Sequence, residues 1–339
     1  MRFAFSPDQL AMQTALRALL EKECPAPVVR AAWTSDTGHS PALWRSLTDF
    51  GLVGLTADAA HGGVGLDELD LVLLLEECGR AAVPAPVLEA TAVAAPLLRD
   101  AANDALNARW QPALASGEAV VTVGLAGSDF VVAANVADLV LLERSGELHA
   151  VPAGALTRTA QRSVDGSRRL FTVQWEPSAE TLVADGEVAS RAIAAARDRG
   201  ALAAAAQLLG LARQMIAMTV GHVTVRKQFG AAIGSFQAVK HHLANALVKV
   251  EFARPLVYRA AYSMARGDAD RSLHVSMAKA QASDAAEVAA RAALQCHGAI
   301  GYSYEHDLHL WMKRAWALGA AWGSAAQHRA RVGEALFGG

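Results

Sequence analysis

From about Glu187 onward the chain repeats apolar residues with a helical period in four long segments, Val188 to Thr224, Phe236 to Arg266, Ser272 to Cys296 and Leu308 to Leu336. Helices of that length must each hide an apolar stripe, and four of comparable length do so against one another as a four-helix bundle. Leu243, Leu247, Val250 and Val257 fall on one such stripe of the second segment, and each side chain fully buried there is worth roughly 1.5–3 kcal/mol. Pro255 lies inside the same segment, where its missing amide is expected to kink or divide the helix. Trp311 and Trp316 on the fourth segment are expected in the core or at a subunit interface. Only 6% of residues are aromatic while 53% are hydrophobic, so these helices are expected to pack closely through alanine.

The first 117 residues also read as helical. Ser6-Pro7-Asp8-Gln9 is a helix start, with Ser6 as N-cap, Pro7 in the first position and Gln9 in the third, predicting a helix to about Cys24. Pro25 and Pro27 break it; further helices are expected over Pro41 to Phe50, Asp67 to Arg80, Val87 to Leu98 and Ala101 to Leu114. The pattern then turns to short β-branched runs, Ala119 to Val123, Leu139 to Glu143, Leu148 to Val151 and Leu170 to Trp175. The expectation is a mainly α chain in three units: a helical unit over 1–117, a small β unit over 118–186 and the bundle over 187–339.

Charge and cysteines narrow the class. With 31 Lys and Arg against 33 Asp and Glu the net charge is −2, which gives no basic surface for nucleic acid. Charged residues interrupt the apolar stretches, and no apolar leader follows Met1-Arg2-Phe3, so neither a membrane span nor a signal peptide is expected. Cys24, Cys78 and Cys296 are odd in number and far apart, which fits a reducing cytoplasm rather than a disulfide framework.

Several short constellations carry no chemistry on inspection. His61-Gly62-Gly63-Val64-Gly65 lacks GxGxxG spacing and a preceding strand, and Gly127-Ser128-Asp129 is not a nucleophile turn. Glu305, His306, Asp307 and His309 crowd the start of the last segment without HExxH order; carboxylates favoured at a helix start account for them, and no metal is assigned. Cys296 and His297 are adjacent on a helix, about 100° apart, so the thiol is not activated by its neighbour.

Two runs remain, Val225 to Ala244 and Gln295 to Leu310. In the first, a basic turn with glycines precedes a helix, so Arg226 and backbone amides could face a pyrophosphate; a solvated basic turn is equally compatible. In the second, small residues stand where a backbone must approach something closely.

In this order, the runs resemble the C-terminal domain of acyl-CoA dehydrogenases. Arg226, Gln228, Phe229, Gly230, Ile233, Phe236 and Gln237 match R-x-Q-F-G-x-x-I-x-x-F-Q. Gln295, Gly298, Gly301 and Tyr302 match Q-x-x-G-G-x-G-[YF], with Ala299 in place of the second glycine. The run EHDLHLWMKRA from Glu305 is similar to the branch acting on bulky thioesters, steroid side chains among them, and Gly54 to Pro86 is similar to the N-terminal helical domain. The resemblance implies an FAD-dependent oxidoreductase that dehydrogenates an acyl-CoA thioester and passes electrons to an acceptor such as electron-transfer flavoprotein. It assigns cofactor contacts to Arg226, Gln228, Phe229, Gln237, Gln295, Gly298 and Ala299, made across a subunit interface.

Against that pattern the chain departs in two ways. The middle segment is short and lacks the T-E-P-x-x-G-S-D loop and W-[IV]-[ST]-N strand that cover the flavin in the family. The α-proton must be taken by a carboxylate, yet its two usual positions fall on Trp322 and Gly200. Asp198 is two residues from the second position, a rotation of about 200° on a helix, and Glu305 belongs to the turn; these are the remaining candidate bases. Such losses occur together in the family's heterotetrameric branch, so the leading expectation is a shortened subunit completing the FAD site of a base-bearing companion. The alternatives are a self-sufficient homo-oligomer with a displaced base such as Asp198, and a catalytically inactive structural subunit.

Overall fold

The computed structural model describes residues 4–338; Met1-Arg2-Phe3, where the reading of an absent leader begins, lie outside them. Helix α1 (Pro7–Glu23) starts as its sequence requires, with the Ser6 hydroxyl accepting the Gln9 amide and the Gln9 side chain accepting the Ser6 amide. The first helix ends before Pro25 and Pro27 as expected, and the same two prolines start α2 (Ala26–Thr34), with Pro25 as N-cap and Pro27 in the first turn. Proline is accommodated there because a first-turn amide has no partner within the helix. Helices α3 (Pro41–Asp49) and α4 (Glu68–Arg80) follow, the latter capped by Asp67 and Asp70. A wide π-helical stretch, Leu88–Ala94, runs into α5 (Ala95–Asp100), and α6 (Asp104–Ala115) is capped by Asn103.

Seven strands come next: β1 (Val121–Gly124), β2 (Val131–Val132), β3 (Leu139–Arg144), β4 (Glu147–Pro152), β5 (Thr157–Gln161), β6 (Leu170–Gln174) and β7 (Leu182–Ala184). They form two sheets in the orders β1-β3-β4-β7 and β2-β6-β5, with β1 and β3 parallel and the other pairs antiparallel. β5 escapes sequence reading because all five of its residues are exposed, leaving no buried face to create an alternation.

The C-terminal region consists of α7 (Gly186–Val225), the hairpin β8 (Lys227–Gln228) and β9 (Ala231–Ala232), then α8 (Gln237–Arg266), α9 (Arg271–His297), α10 (Leu308–Ala320) and α11 (Ala325–Phe337). α9 packs against α7, α8, α10 and α11, while α4 lies on α7 and α8. α7 is long and apolar enough to span a membrane, yet 78% of its most apolar stretch is buried inside the fold.

Of the two outcomes expected at Pro255, division does not occur: α8 runs unbroken from Gln237 to Arg266. Two other expectations are corrected. The buried stripe of α8 is Ala246, Val250, Ala253 and Val257, whereas Leu247 is 44% exposed; alanine lines the seam because the helices approach closely. The fourth long segment is two helices, interrupted at Ala321–Ser324, where Trp322 and Gly323 take φ of +58° and +94°. Ser324 then caps α11 through Gln327, a serine and glutamine three apart that mark a helix start in the sequence itself.

Candidate functional site

The first glycine-bearing run becomes a tight hairpin. Phe229 and Gly230, at φ of +52° and +80°, join β8 to β9, a pair of left-handed residues of the kind that two-residue hairpin turns demand. For phenylalanine that conformation costs roughly 1–2 kcal/mol, and the ring is 93% exposed, touched edge-on by Phe236 at 6.2 Å between centroids. Ile233 donates its amide to the Arg226 carbonyl at 2.8 Å, which closes the turn. Phe236 then precedes α8 with no side-chain cap, so the first amides of a 30-residue helix are left without a side-chain acceptor.

The second run begins at the end of α9. Gly298 has φ +65° and ψ −143°, a region open in practice only to glycine. An added Cβ there would meet nothing within 4 Å, so the glycine is required by backbone geometry rather than by packing. Gln295, Gly298, Ala299, Ile300, Tyr302 and Tyr304 are all exposed.

The ends of α7 and α9 bring the two runs together. His222, one turn before Arg226, stacks on His297 with 4.4 Å between ring centroids, and His306 meets His297 edge-on at 4.7 Å. Burial lowers the pKa of both His222 and His297. Arg226, Gln228, Gln237 and Gln295 are exposed. Among the described residues the Arg226 guanidinium makes no side-chain hydrogen bond or ion pair and lies exposed.

Gly200 and Trp322, the two residues at the expected base positions, lie against each other. A Cβ on Gly200, midway along α7, would overlap the six-membered ring of the Trp322 indole. Trp322 is held there from behind: its carbonyl lies 2.9 Å from His328 Nε2, whose Nδ1 is 3.2 Å from the Ser276 hydroxyl. The next carbonyl, that of Gly323, accepts from Lys279 Nζ at 2.9 Å, and that ammonium also reaches the Gly319 carbonyl at 3.1 Å. Burial pulls Lys279 down to about 7 and His328 down to about 4. On the neighbouring stretch of α7, the cavity bounded by Thr56, Leu71, Arg199, Leu202 and Ala203 holds about 40 Å³, far below the roughly 300 Å³ at which ligand pockets begin. Arg199 closes its rim through Glu68 at 2.6 Å and Asp100 at 2.5 Å.

Neither remaining carboxylate joins this place. Asp198 is buried and accepts from the Ser272 hydroxyl at 2.6 Å, at the start of α9; burial raises its pKa. Glu305 is exposed and bonds Ser303 within its own turn. Lys279 and His328 had no sequence signal: each is one of several polar residues on its helix, and only the packing of α9 against α10 and α11 joins them to Trp322. His222 was likewise invisible, because its partners lie about 75 and 84 positions away, a separation read directly from the numbering.

Comparison with known proteins adds three findings. Residues 6–118 match the family described as acyl-CoA dehydrogenase, N-terminal domain, and residues 190–337 match acyl-CoA dehydrogenase, C-terminal domain. The chain is 34% identical over 312 residues to acyl-CoA dehydrogenase IpdE2 of Mycobacterium tuberculosis, covering 91% of each protein. In fold it is similar to a chain of the ChsE4-ChsE5 complex from Mycobacterium tuberculosis, at a TM-score of 0.89 and 23% identity with 99% of both chains covered. It is also similar to a chain of the Tcur3481-Tcur3483 steroid ACAD, at 0.84 and 23% with 97% covered.

Proposed function

The chain belongs to the acyl-CoA dehydrogenase family, and from that premise we propose that it is the base-less subunit of a heteromeric, FAD-dependent acyl-CoA dehydrogenase. The observation that carries this reading is the Trp322 indole, which fills the space beside Gly200 where the family's carboxylate would stand. Trp322 is partly buried, and an indole cannot take an α-proton; its ring also occupies the space a side chain on Gly200 would need. Asp198 as a displaced base is not favoured, because Ser272 holds it at the start of α9.

The residues of the two turns fit the cofactor on their own chemistry. Arg226 offers a planar guanidinium to pyrophosphate oxygens, Gln228, Gln237 and Gln295 offer amides, and Gly298 with Ala299 presents exposed backbone. FAD, when bound, supplies the hydride acceptor for α,β-dehydrogenation of an acyl-CoA thioester. Phe229, strained and exposed at the hairpin tip, would lie against the same group and keep water from it. These contacts would be made to a cofactor seated mainly in a companion subunit, which supplies the base and the flavin cover. The division into units over 1–117, 118–186 and 187–339 belongs to this reading, the middle unit being the one that has lost its part in covering flavin.

Two neighbours in fold come from assemblies named as pairs, and one of those is named as acting in steroid chemistry; they support a second, unlike subunit and a bulky thioester. Electron-transfer flavoprotein as acceptor and a cytoplasmic setting complete the proposal.

Co-expression with a full-length, base-bearing homologue, followed by gel filtration and absorbance scanning, tests it. The expected result is a stable complex with one flavin for each pair of unlike subunits, and no turnover by this chain alone. An isolated chain that retains one flavin per protomer and oxidises acyl-CoA unaided overturns the reading.

A further inference from the structure

We infer that His222, His297 and His306 form a transition-metal site, suited to Zn²⁺, that ties the end of α7 to the end of α9 and the turn before α10. One ligand atom from each of the three imidazoles lies within 4.8 Å of the other two. The three residues come from three separate parts of the chain, so no local backbone pattern brings them together. His297 lies between the other two, stacked on His222 and edge-on to His306.

The second observation concerns His297 alone. It is 6% exposed, and its Nδ1 lies 2.8 Å from the Ala293 carbonyl. A carbonyl can only accept, so Nδ1 carries the proton and Nε2 presents a bare lone pair. That Nε2 is buried and has no hydrogen-bond partner. A histidine held through one nitrogen by a backbone carbonyl, with the other turned into a cluster of imidazoles, has the orientation that metal-bound histidines adopt.

Nitrogens around a tetrahedral Zn²⁺, at about 2.0–2.1 Å from the ion, are about 3.3 Å from one another. The cluster therefore has to contract by up to about 1.5 Å, with the stacked His222 ring turning so that its nitrogen meets the same point. His222 and His306 are only partly buried and sit at a helix end and in a turn, so they have room to move toward His297. His306 Nδ1 now faces the Leu308 amide at 3.1 Å; coordination through Nε2 requires the proton on Nδ1 and releases that amide. Cys296 is not part of the cluster, and Asp307 is occupied by Arg30 at 2.5 Å. Three imidazoles leave a fourth position for water or an anionic ligand. The site does not depend on the cofactor reading, since its ligands are distinct from every residue assigned to FAD.

The test is titration of the metal-stripped full chain with Zn²⁺ by calorimetry and with Co²⁺ by visible absorbance, alongside His222→Gln, His306→Gln and a His241→Gln/His242→Gln control. One equivalent is expected, with the intense absorbance of tetrahedral Co²⁺. Each of the two single variants should lose at least about 100-fold in affinity, since loss of even an outer-shell partner costs 10–100-fold. The control should bind as the parent does. Thermal melting of all variants without metal should show that they remain folded, and Zn²⁺ should raise the melting temperature of the parent and control only. Absence of saturable binding, binding unchanged in both single variants, or binding lost in the control instead would overturn the site.

Discussion

At the scale of single residues, the decisive feature is one aromatic ring against one glycine. Trp322 stands at φ +58°, a conformation bulky residues avoid, and the place its ring takes is the one a side chain on Gly200 would need. Gly200→Ala should therefore destabilise the chain by about 1–3 kcal/mol through overpacking, read from urea unfolding. Adding Trp322→Gly should recover most of that loss, a coupling between the two sites; additive effects would mean the ring and the glycine are not in contact. His328 sets a pH dependence. Its pKa is about 4 in the fold against an ordinary 6.5, mainly because it is buried. The unfolded chain thus binds the proton first as pH falls, so stability is full above about pH 6.5 and is lost toward pH 4, by about 3 kcal/mol. Unfolding midpoints measured across that window should fall for the parent, and less steeply for His328→Gln.

At the scale of elements, α4 and α7 cross where glycine faces backbone. A Cβ on Gly79 would overlap the Gln207 carbonyl, and one on Gly210 would overlap the Glu76 carbonyl. Neither obstacle is a flexible side-chain end, so the helices must separate to admit a methyl group. Gly210→Ala should cost about 3 kcal/mol or more, at the upper end of overpacking penalties, seen as a shifted denaturation midpoint; Gly221→Ala on the same helix, where nothing lies within 4 Å, should instead be neutral or stabilising by up to about 1 kcal/mol. The crossing is supported by charge: Glu76 accepts from Arg213 at 3.0 Å and Tyr258 at 2.8 Å, tying α4 to both α7 and α8. Periodicity identified these helices but not their crossing. A glycine within a helical pattern carries no mark of whether it faces solvent, as Gly221 does, or a neighbouring carbonyl, as Gly210 does.

At the scale of the whole molecule, the face bearing the hairpin is strained and apolar at once. Phe229 carries the cost of a left-handed backbone while its ring remains outside the fold; within this chain alone that arrangement gains nothing. Phe229→Asn, which tolerates the same φ, should leave the isolated chain as stable or more stable by up to about 1 kcal/mol. The same change should weaken assembly with a companion, measured as faster loss of flavin from the complex on gel filtration. If both isolated stability and flavin retention are unchanged, the ring has no role in the assembly.

What the chain's sequence determined unaided was local. Ser6 with Gln9 starts a helix, the long alanine-rich periods make helices that must bundle, and the two glycine-bearing turns point to the acyl-CoA dehydrogenase family to which the chain belongs. Each of these depends on neighbours within a few positions, where backbone geometry and hydrogen bonding are set. What only the tertiary structure decided is long-range. It placed Trp322 on Gly200, set Lys279 and His328 behind that ring, turned the seam of α8 onto its alanines, and gathered His222, His297 and His306 from separate parts of the chain. Such meetings follow from how helices cross and where their ends fall in space, and no pattern of period 3.6 or 2 records which distant residue will fill a given gap.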